Sequence, residues 1–267
     1  MTRCAVLGDP ISHSLSPLLH RAAYAALDLP WQYDAHRVTA AELAGFVGDL
    51  GSEWRGLSLT MPLKQAAIQL CESVEPLAEQ VDAVNTMVRT QTGWSGHNTD
   101  VGGCVDAVRA AGLDSVERAV VAGSGATAGS VLAALAELGA RKVVVLARSP
   151  QRAQRVVELG RHWGVDVERL PLEATPAERV DVLVSTVPAT AQQERAANWA
   201  ALVRQGGLVF DVVYEPRETP LLAAATRRGT VTVPGTELLL RQAARQVTLM
   251  TGVDEAPLAA MRAALAG

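Results

Sequence analysis

Hydrophobic and polar positions along this 267-residue chain follow two periods that take turns. Short β-type runs at residues 3–7, 32–37 and 56–59 are separated by stretches with helical spacing. The first stretch, 17–27, carries Pro17 in its opening turn, where a missing N–H does no harm. The second opens at Thr39, with Glu42 three residues on in capping-box spacing. The third opens at Pro62. A β-α-β-α-β order predicts a largely parallel sheet with helices on its faces.

Between Asn85 and Asn98 the period changes. Residues 86–90 and 93–96 read as extended pieces around a turn, and 100–111 as a helix ending at Gly112. A second series then starts with a strand at 118–121. Helix 126–138, strand 142–147 and helix 150–163 follow, then strands near 166–169, 182–187 and 208–213. This is the layout of a doubly wound nucleotide-binding sheet. Residues 236–251 and 255–266 are helical. The expectation is an α/β protein of two domains, residues 1–99 and 100–235, with C-terminal helices over 236–267.

Composition narrows the function. Hydrophobic residues make up 49 %, enough for a real core, and the net charge of −4 leaves no basic field to attract nucleic acid or an acidic bilayer. No apolar run has the length of a membrane span, and Met1-Thr2-Arg3-Cys4 does not read as a secretion signal. Cys4, Cys71 and Cys104 lie far apart, which suits reduced thiols and a cytoplasmic setting. The five histidines have no metal-ligand spacing; His97, beside Asn98-Thr99-Asp100, reads as a loop-packing residue before a cleft-lining one. Of 24 basic residues only Lys64 and Lys142 are lysines. In so arginine-rich a chain, each remaining lysine invites a reason.

The segment Gly123-Ser124-Gly125-Ala126-Thr127-Ala128 follows a strand and opens a helix. Its glycines permit a tight turn and close approach of a pyrophosphate, with the helix N-terminus beyond; alanine is accepted at the third position. The next strand ends in Ala147-Arg148-Ser149, with Arg152 a turn on, where NAD-binding sites usually place an acid. Two guanidiniums and a hydroxyl suit the 2′-phosphate of NADP. The alternative is two ordinary surface arginines.

Further motifs follow along the chain: Ser14-Leu15-Ser16-Pro17 at a predicted strand end, Thr60-Met61-Pro62-Leu63-Lys64, Ala83-Val84-Asn85-Thr86, Asn98-Thr99-Asp100, Asp211-Val212-Val213-Tyr214, and Gly235 with Gln242-Ala243 on the late helix. Ser14 and Ser16 can point to one carboxylate, or Ser16 can cap the helix behind it. In this order and over the whole length, the motifs resemble the shikimate dehydrogenase family. The resemblance implies a substrate domain completed by the C-terminal helices and a Rossmann domain binding NADP(H). It implies that Ser14 and Ser16 hold a substrate carboxylate, that Ser58, Thr60, Asn85 and Gln242 meet its hydroxyls, and that Tyr214 borders it. Lys64 and Asp100 would be the catalytic pair. The cofactor would lie against Gly123, Ser124, Gly125, Ala126, Thr127, Ala147, Arg148, Ser149, Arg152, Thr186, Val212, Gly235 and Leu238.

Three positions depart from the family pattern: Ser58 and Ala147 replace asparagines, and Leu238 replaces a methionine. The implied reaction is reversible NADPH-dependent reduction of 3-dehydroshikimate to shikimate, with these small molecules as partners and a homodimer left open. Lysine suits the catalytic position because arginine holds its proton throughout the accessible pH range. The sequence leaves two alternatives. One is a paralogue acting on quinate or aminoshikimate. The other is a non-catalytic NADP-binding regulator, which would be expected to lose the Lys64–Asp100 pair first.

Overall fold

The computed structural model describes residues 1–266. In chain order, β1 (Arg3–Gly8), α1 (Ser16–Ala26), β2 (Gln32–Arg37), α2 (Leu43–Gly48) and β3 (Trp54–Leu59) come first. A 3-10 turn, Ala66–Leu70, leads to β4 (Ser73–Val74), α3 (Pro76–Gln80), β5 (Thr86–Arg89) and β6 (Trp94–His97). Helix α4 (Thr99–Ala110) leads on to β7 (Arg118–Ala122), α5 (Ala126–Glu137), β8 (Lys142–Leu146), α6 (Pro150–His162), β9 (Asp166–Leu170) and β10 (Val180–Ser185). After these come α7 (Ala196–Leu202), β11 (Val203–Asp211), α8 (Pro220–Arg227), β12 (Val231–Val233), α9 (Gly235–Thr251) and α10 (Leu258–Ala266). The chain divides into two compact units, residues 1–99 with 239–267, and residues 100–238.

The first unit holds a six-stranded sheet in the order β2-β1-β3-β5-β6-β4. β1 runs parallel to β2 and β3, while β5 pairs antiparallel with both β3 and β6. Because a strand's side chains alternate in direction, β1 feeds two cores. Ala5 and Leu7 join Leu43, Val47, Leu57 and Met87 on one face. Cys4 and Val6 join Tyr24, Tyr33 and Met250 on the other. On α1, Leu19 and Ala23 pack against Leu240, Ala243 and Val247 of α9 and Met261 of α10.

The second unit is a fully parallel sheet in the order β12-β11-β10-β7-β8-β9. Numbered within the unit this is 6-5-4-1-2-3, the Rossmann order, which reverses between β7 and β10. Helix α5 is buried continuously from Ala128 to Leu135, which explains its alanines and glycine: large side chains would hold it off the sheet.

Two expected elements take a different form. The segment after Pro62 is not an α-helix but a turn followed by the five-residue 3-10 piece, because Cys71 is already extended and the chain must reach β4, which pairs with β6. The helix expected to open at Thr39 begins at Leu43 instead. Thr39 and Glu42 do meet, but both the Thr39 N–H (2.9 Å) and its hydroxyl (2.8 Å) donate to the Glu42 carboxylate, so the threonine caps nothing.

Candidate functional site

In the first unit, the ends of β1, β3 and β6 and the start of β5 fall on one edge of the sheet. Leu7 pairs with Leu59, Ser58 with Thr86, and Thr86 with His97. The loops after β1 and β3 are tied together there, Asp9 N–H donating to the Met61 carbonyl and Thr60 N–H to the Leu7 carbonyl, each at 3.0 Å. Leu63 N–H closes the next turn on the Thr60 carbonyl (2.8 Å), and the Lys64 carbonyl accepts from Val84 N–H (2.9 Å). Thr60, Lys64 and Asn85 are therefore fixed within a few residues' reach of one another at this edge.

Asn85 is 1 % exposed, and its amide has a defined orientation. The Thr99 N–H, which can only donate, reaches Asn85 Oδ1 at 2.9 Å. The Thr86 hydroxyl donates to the same oxygen (2.8 Å), and Asn85 Nδ2 donates to Thr99 Oγ1 (2.9 Å).

Ser16 is buried and Ser14 half-buried at the start of α1. Ser16 N–H donates to Ser14 Oγ (3.3 Å), so the two hydroxyls stand on one tight bend. The capping role open to Ser16 is not used, since the N-cap is Leu15 and no side chain caps the helix. Ser58 accepts from the Tyr33 hydroxyl (2.6 Å) and donates to Gln246 Oε1 (2.8 Å), so its short side chain is held between two others. Gln242 is buried on α9 with Nε2 donating to the Leu239 carbonyl (2.9 Å).

Gln246, one turn beyond Gln242, was missed in the sequence. Its Nε2 donates to Thr86 Oγ1 (3.1 Å), and its Oε1 also meets His20 Nε2 (3.2 Å). His20 stacks on Tyr33 at 3.9 Å, and burial drives its pKa down to about 3, so it serves as a neutral core group. The i, i+4 relation of Gln242 and Gln246 placed both on one helical face and was the available signal.

In the second unit, Ala122, Ser185, Asp211 and Leu146 close their strands in register, so the loops beyond them gather at the carboxyl edge of the sheet. Gly123 has φ +119°, and a Cβ there would overlap the Thr186 hydroxyl. Thr186 sits tightly because its N–H (2.8 Å) and hydroxyl (3.0 Å) both donate to the Ala122 carbonyl. Ser124 and Gly125 lead into α5, which opens with Ala126 and Thr127 and whose N-cap, Gly125, supplies no side chain to its first N–H groups.

Ala147 is buried, whereas Arg148 and Arg152 are exposed. Ser149 caps α6, its hydroxyl accepting from Arg152 N–H (3.3 Å). Val212 N–H donates to the Ser185 carbonyl (3.0 Å). Gly235 presses so closely on the Val212 carbonyl and Val213 backbone that a Cβ would collide with them, and Leu238 is buried a turn on. Burial, then the charge of Glu215, raises the pKa of Tyr214. Asp211, fully buried, accepts from Thr219 Oγ1 (2.6 Å), Gln192 Nε2 (2.8 Å) and Val213 N–H (3.2 Å), which stiffens this strand end. Burial still raises its carboxyl pKa. Asp100 lies in the first turn of α4, 7 % exposed, where the helix dipole favours a carboxylate.

Among the described residues, no group of three His, Cys, Asp or Glu could hold a metal ion, and no helix is long and apolar enough to cross a membrane.

Comparisons with known proteins agree with both halves. The family model for the shikimate dehydrogenase substrate binding domain matches residues 6–87, that for shikimate / quinate 5-dehydrogenase residues 108–219, and that for the shikimate 5′-dehydrogenase C-terminal domain residues 235–266. The shikimate dehydrogenase (NADP(+)) of Moorella thermoacetica is 36 % identical over 96 % of this chain and 90 % of its own length. The crystal structure of Mycobacterium tuberculosis shikimate dehydrogenase is 40 % identical, with a TM-score of 0.91, covering 100 % of this chain and 99 % of that one. Shikimate 5-dehydrogenase from Thermus thermophilus, solved in complex with NADP(H) and shikimate, is 32 % identical with a TM-score of 0.85, covering 99 % and 98 %. With both units matched and near-complete coverage on either side, this chain belongs to the shikimate dehydrogenase family.

Proposed function

We propose that the chain reduces 3-dehydroshikimate to shikimate with NADPH, and runs the reverse reaction with NADP⁺. The observation that carries this is the Asn85–Thr99 arrangement on the same sheet edge as the Thr60–Lys64 loop and the Ser14–Ser16 bend: an oriented polar cluster suited to a small polyhydroxy acid. Residues 1–99 and the C-terminal helices act as the substrate domain and residues 100–235 as the cofactor domain.

The second unit suits NADP(H). The turn at Gly123 has no room for a side chain, the α5 N-terminus keeps its N–H groups for a pyrophosphate, and Arg148 and Arg152 stand exposed beyond β8 for a 2′-phosphate. When bound, the nicotinamide supplies the hydride. Ser14 and Ser16 hold the substrate carboxylate through their hydroxyls. Thr60, Asn85 and Gln242 hold its ring hydroxyls, with Ser58 behind them and Tyr214 alongside. Lys64 donates a proton to the ketone oxygen as negative charge develops there and takes it back in the oxidative direction, and Asp100 is proposed as the acidic catalytic residue. A cytoplasmic setting suits three unpaired thiols, and a homodimer is the assembly to look for, by light scattering.

The test uses purified chain with NADP⁺ and either shikimate or quinate, following NADPH fluorescence. Shikimate-dependent NADPH formation is expected. A chain that turns over neither acid overturns the proposal.

A further inference from the structure

We propose that Glu75 and His97 are positioning residues for the substrate: together they fix the segment that orients the Asn85 amide. The inference rests on the reading of Asn85 as a ligand-binding residue. His97 closes β6, and its Nδ1 meets Glu75 Oε2 at 2.8 Å. The other carboxylate oxygen, Glu75 Oε1, accepts from Asn98 N–H (3.5 Å), while Glu75 N–H donates to the Gly96 carbonyl (2.9 Å). One carboxylate thus holds both the ring of His97 and the backbone that follows it.

That backbone supplies what orients Asn85. The His97 carbonyl accepts from Asn85 N–H (3.0 Å), Thr99 N–H donates to Asn85 Oδ1, and Thr99 Oγ1 accepts from Asn85 Nδ2. Asn98 between them is secured by Nδ2 donating to the Ala83 carbonyl (2.7 Å). Asn85 Oδ1 thus accepts from both Thr99 N–H and the Thr86 hydroxyl, which fixes the amide's orientation with Nδ2 as its donor end. Removing the Glu75 carboxylate strands two donors at once, His97 Nδ1 and Asn98 N–H, and loosens the strut behind this arrangement.

Ser95 Oγ lies 3.0 Å from His97 Nε2, so the three side chains have the spacing of a nucleophile, base and acid. The Ser95 hydroxyl, however, is also within reach of the Val88 carbonyl (3.3 Å), which ties it to the β5 backbone rather than leaving it open to a substrate. Ser95 is a second prop for the ring, and the cluster braces the site.

The test is a double-mutant cycle read by calorimetric binding of shikimate and by steady-state kinetics. Glu75→Ala and His97→Phe should each weaken shikimate binding and raise its KM roughly ten-fold, the worth of about one charge-assisted hydrogen bond. The KM for NADP⁺ should change little, and the folded chain should persist at the assay temperature with a melting temperature lowered by only a few degrees. Glu75→Gln, which retains one acceptor, should recover part of the loss. In an Asn85→Ala background, Glu75→Ala should add almost nothing, since the two act in series. Additive losses, or unchanged shikimate affinity in both single variants, would overturn the proposal. A wild-type chain that binds shikimate without turning it over would sink the catalytic assignment while leaving the brace measurable. A wild-type chain that does not bind shikimate would overturn both.

Discussion

At the scale of single residues, the sharpest expectation concerns Lys64. The other lysine, Lys142, makes an exposed ion pair with Glu178 at 3.0 Å, a task arginine performs equally well. The Lys64 carbonyl is bonded by the residue next to Asn85, and the proposed reaction needs a group at this side chain that can release a proton. Lys64→Ala should lower kcat roughly 10²–10⁴-fold with little change in NADPH affinity. Lys64→Arg should be nearly as damaged, because guanidinium keeps its charge but not a transferable proton. Near-normal turnover by Lys64→Arg would reduce this side chain to a binding cation. At the other unit, Arg148→Asp should erase or invert the preference for NADP over NAD, as an exposed guanidinium facing a phosphate is worth on the order of ten- to hundred-fold. Equal use of both cofactors by the unaltered chain would contradict the arginine's role. The motif residues could be singled out because each motif is local in sequence; Gln246 and His20 could not. They meet across 226 positions of sequence, and a lone polar residue on an apolar helical face reveals no partner until the fold supplies it.

At the scale of elements, regular spacing was readable wherever helix or strand ran long. Gln32–Arg37 and the β5–β6 hairpin stand where the polar pattern puts them. The misread stretches are those in which a distant partner decides. Residues after Pro62 have helical spacing, with Leu63 and Ala67 buried, yet the pairing of β4 with β6 draws the chain into extended backbone at Cys71. Short α3, α7, α8 and β12 were overlooked, though α8 carried a signal: Thr219 caps it, accepting from Leu222 N–H (3.3 Å), and Pro220 follows. The turn before α5 yields its own prediction. Gly123→Ala forces a side chain into a positive-φ position and into the Thr186 hydroxyl. It should destabilise the second unit by about 1–3 kcal/mol and weaken NADPH binding more than shikimate binding. Chemical denaturation and cofactor titration check this; an alanine variant with wild-type cofactor affinity would show that the turn tolerates a side chain.

For the whole molecule, the two sheet orders account for why one chain carries two kinds of site. The mixed sheet gathers loops of polar side chains at one edge, and the all-parallel sheet gathers glycine turns and a helix N-terminus at its carboxyl edge. Acid sensitivity is also a property of the whole fold. His20 is held neutral with a pKa near 3 when folded, against 6.5 for the free side chain. As pH falls below about 6.5, the unfolded chain therefore takes up a proton that the folded chain refuses, and stability drops by up to about 1.4 kcal/mol per pH unit. Asp211, whose folded pKa is raised, works in the opposite sense as its carboxyl takes up a proton, and offsets part of the loss. His20→Gln should flatten the acid limb, seen as urea midpoints that fall less between about pH 7 and pH 5 than those of wild type. An unchanged acid limb would place the sensitivity elsewhere. The central claim, that this fold joins an oriented polyol-acid site to an NADP site in order to reduce a ketone, has one direct measurement: the initial rate of 3-dehydroshikimate reduction by wild-type chain, with NADPH and NADH in parallel. The predicted result is substrate-dependent consumption of NADPH, at least about ten-fold more efficient than of NADH, with shikimate as product. No substrate-dependent consumption of NADPH, under conditions where NADPH binds, would contradict it.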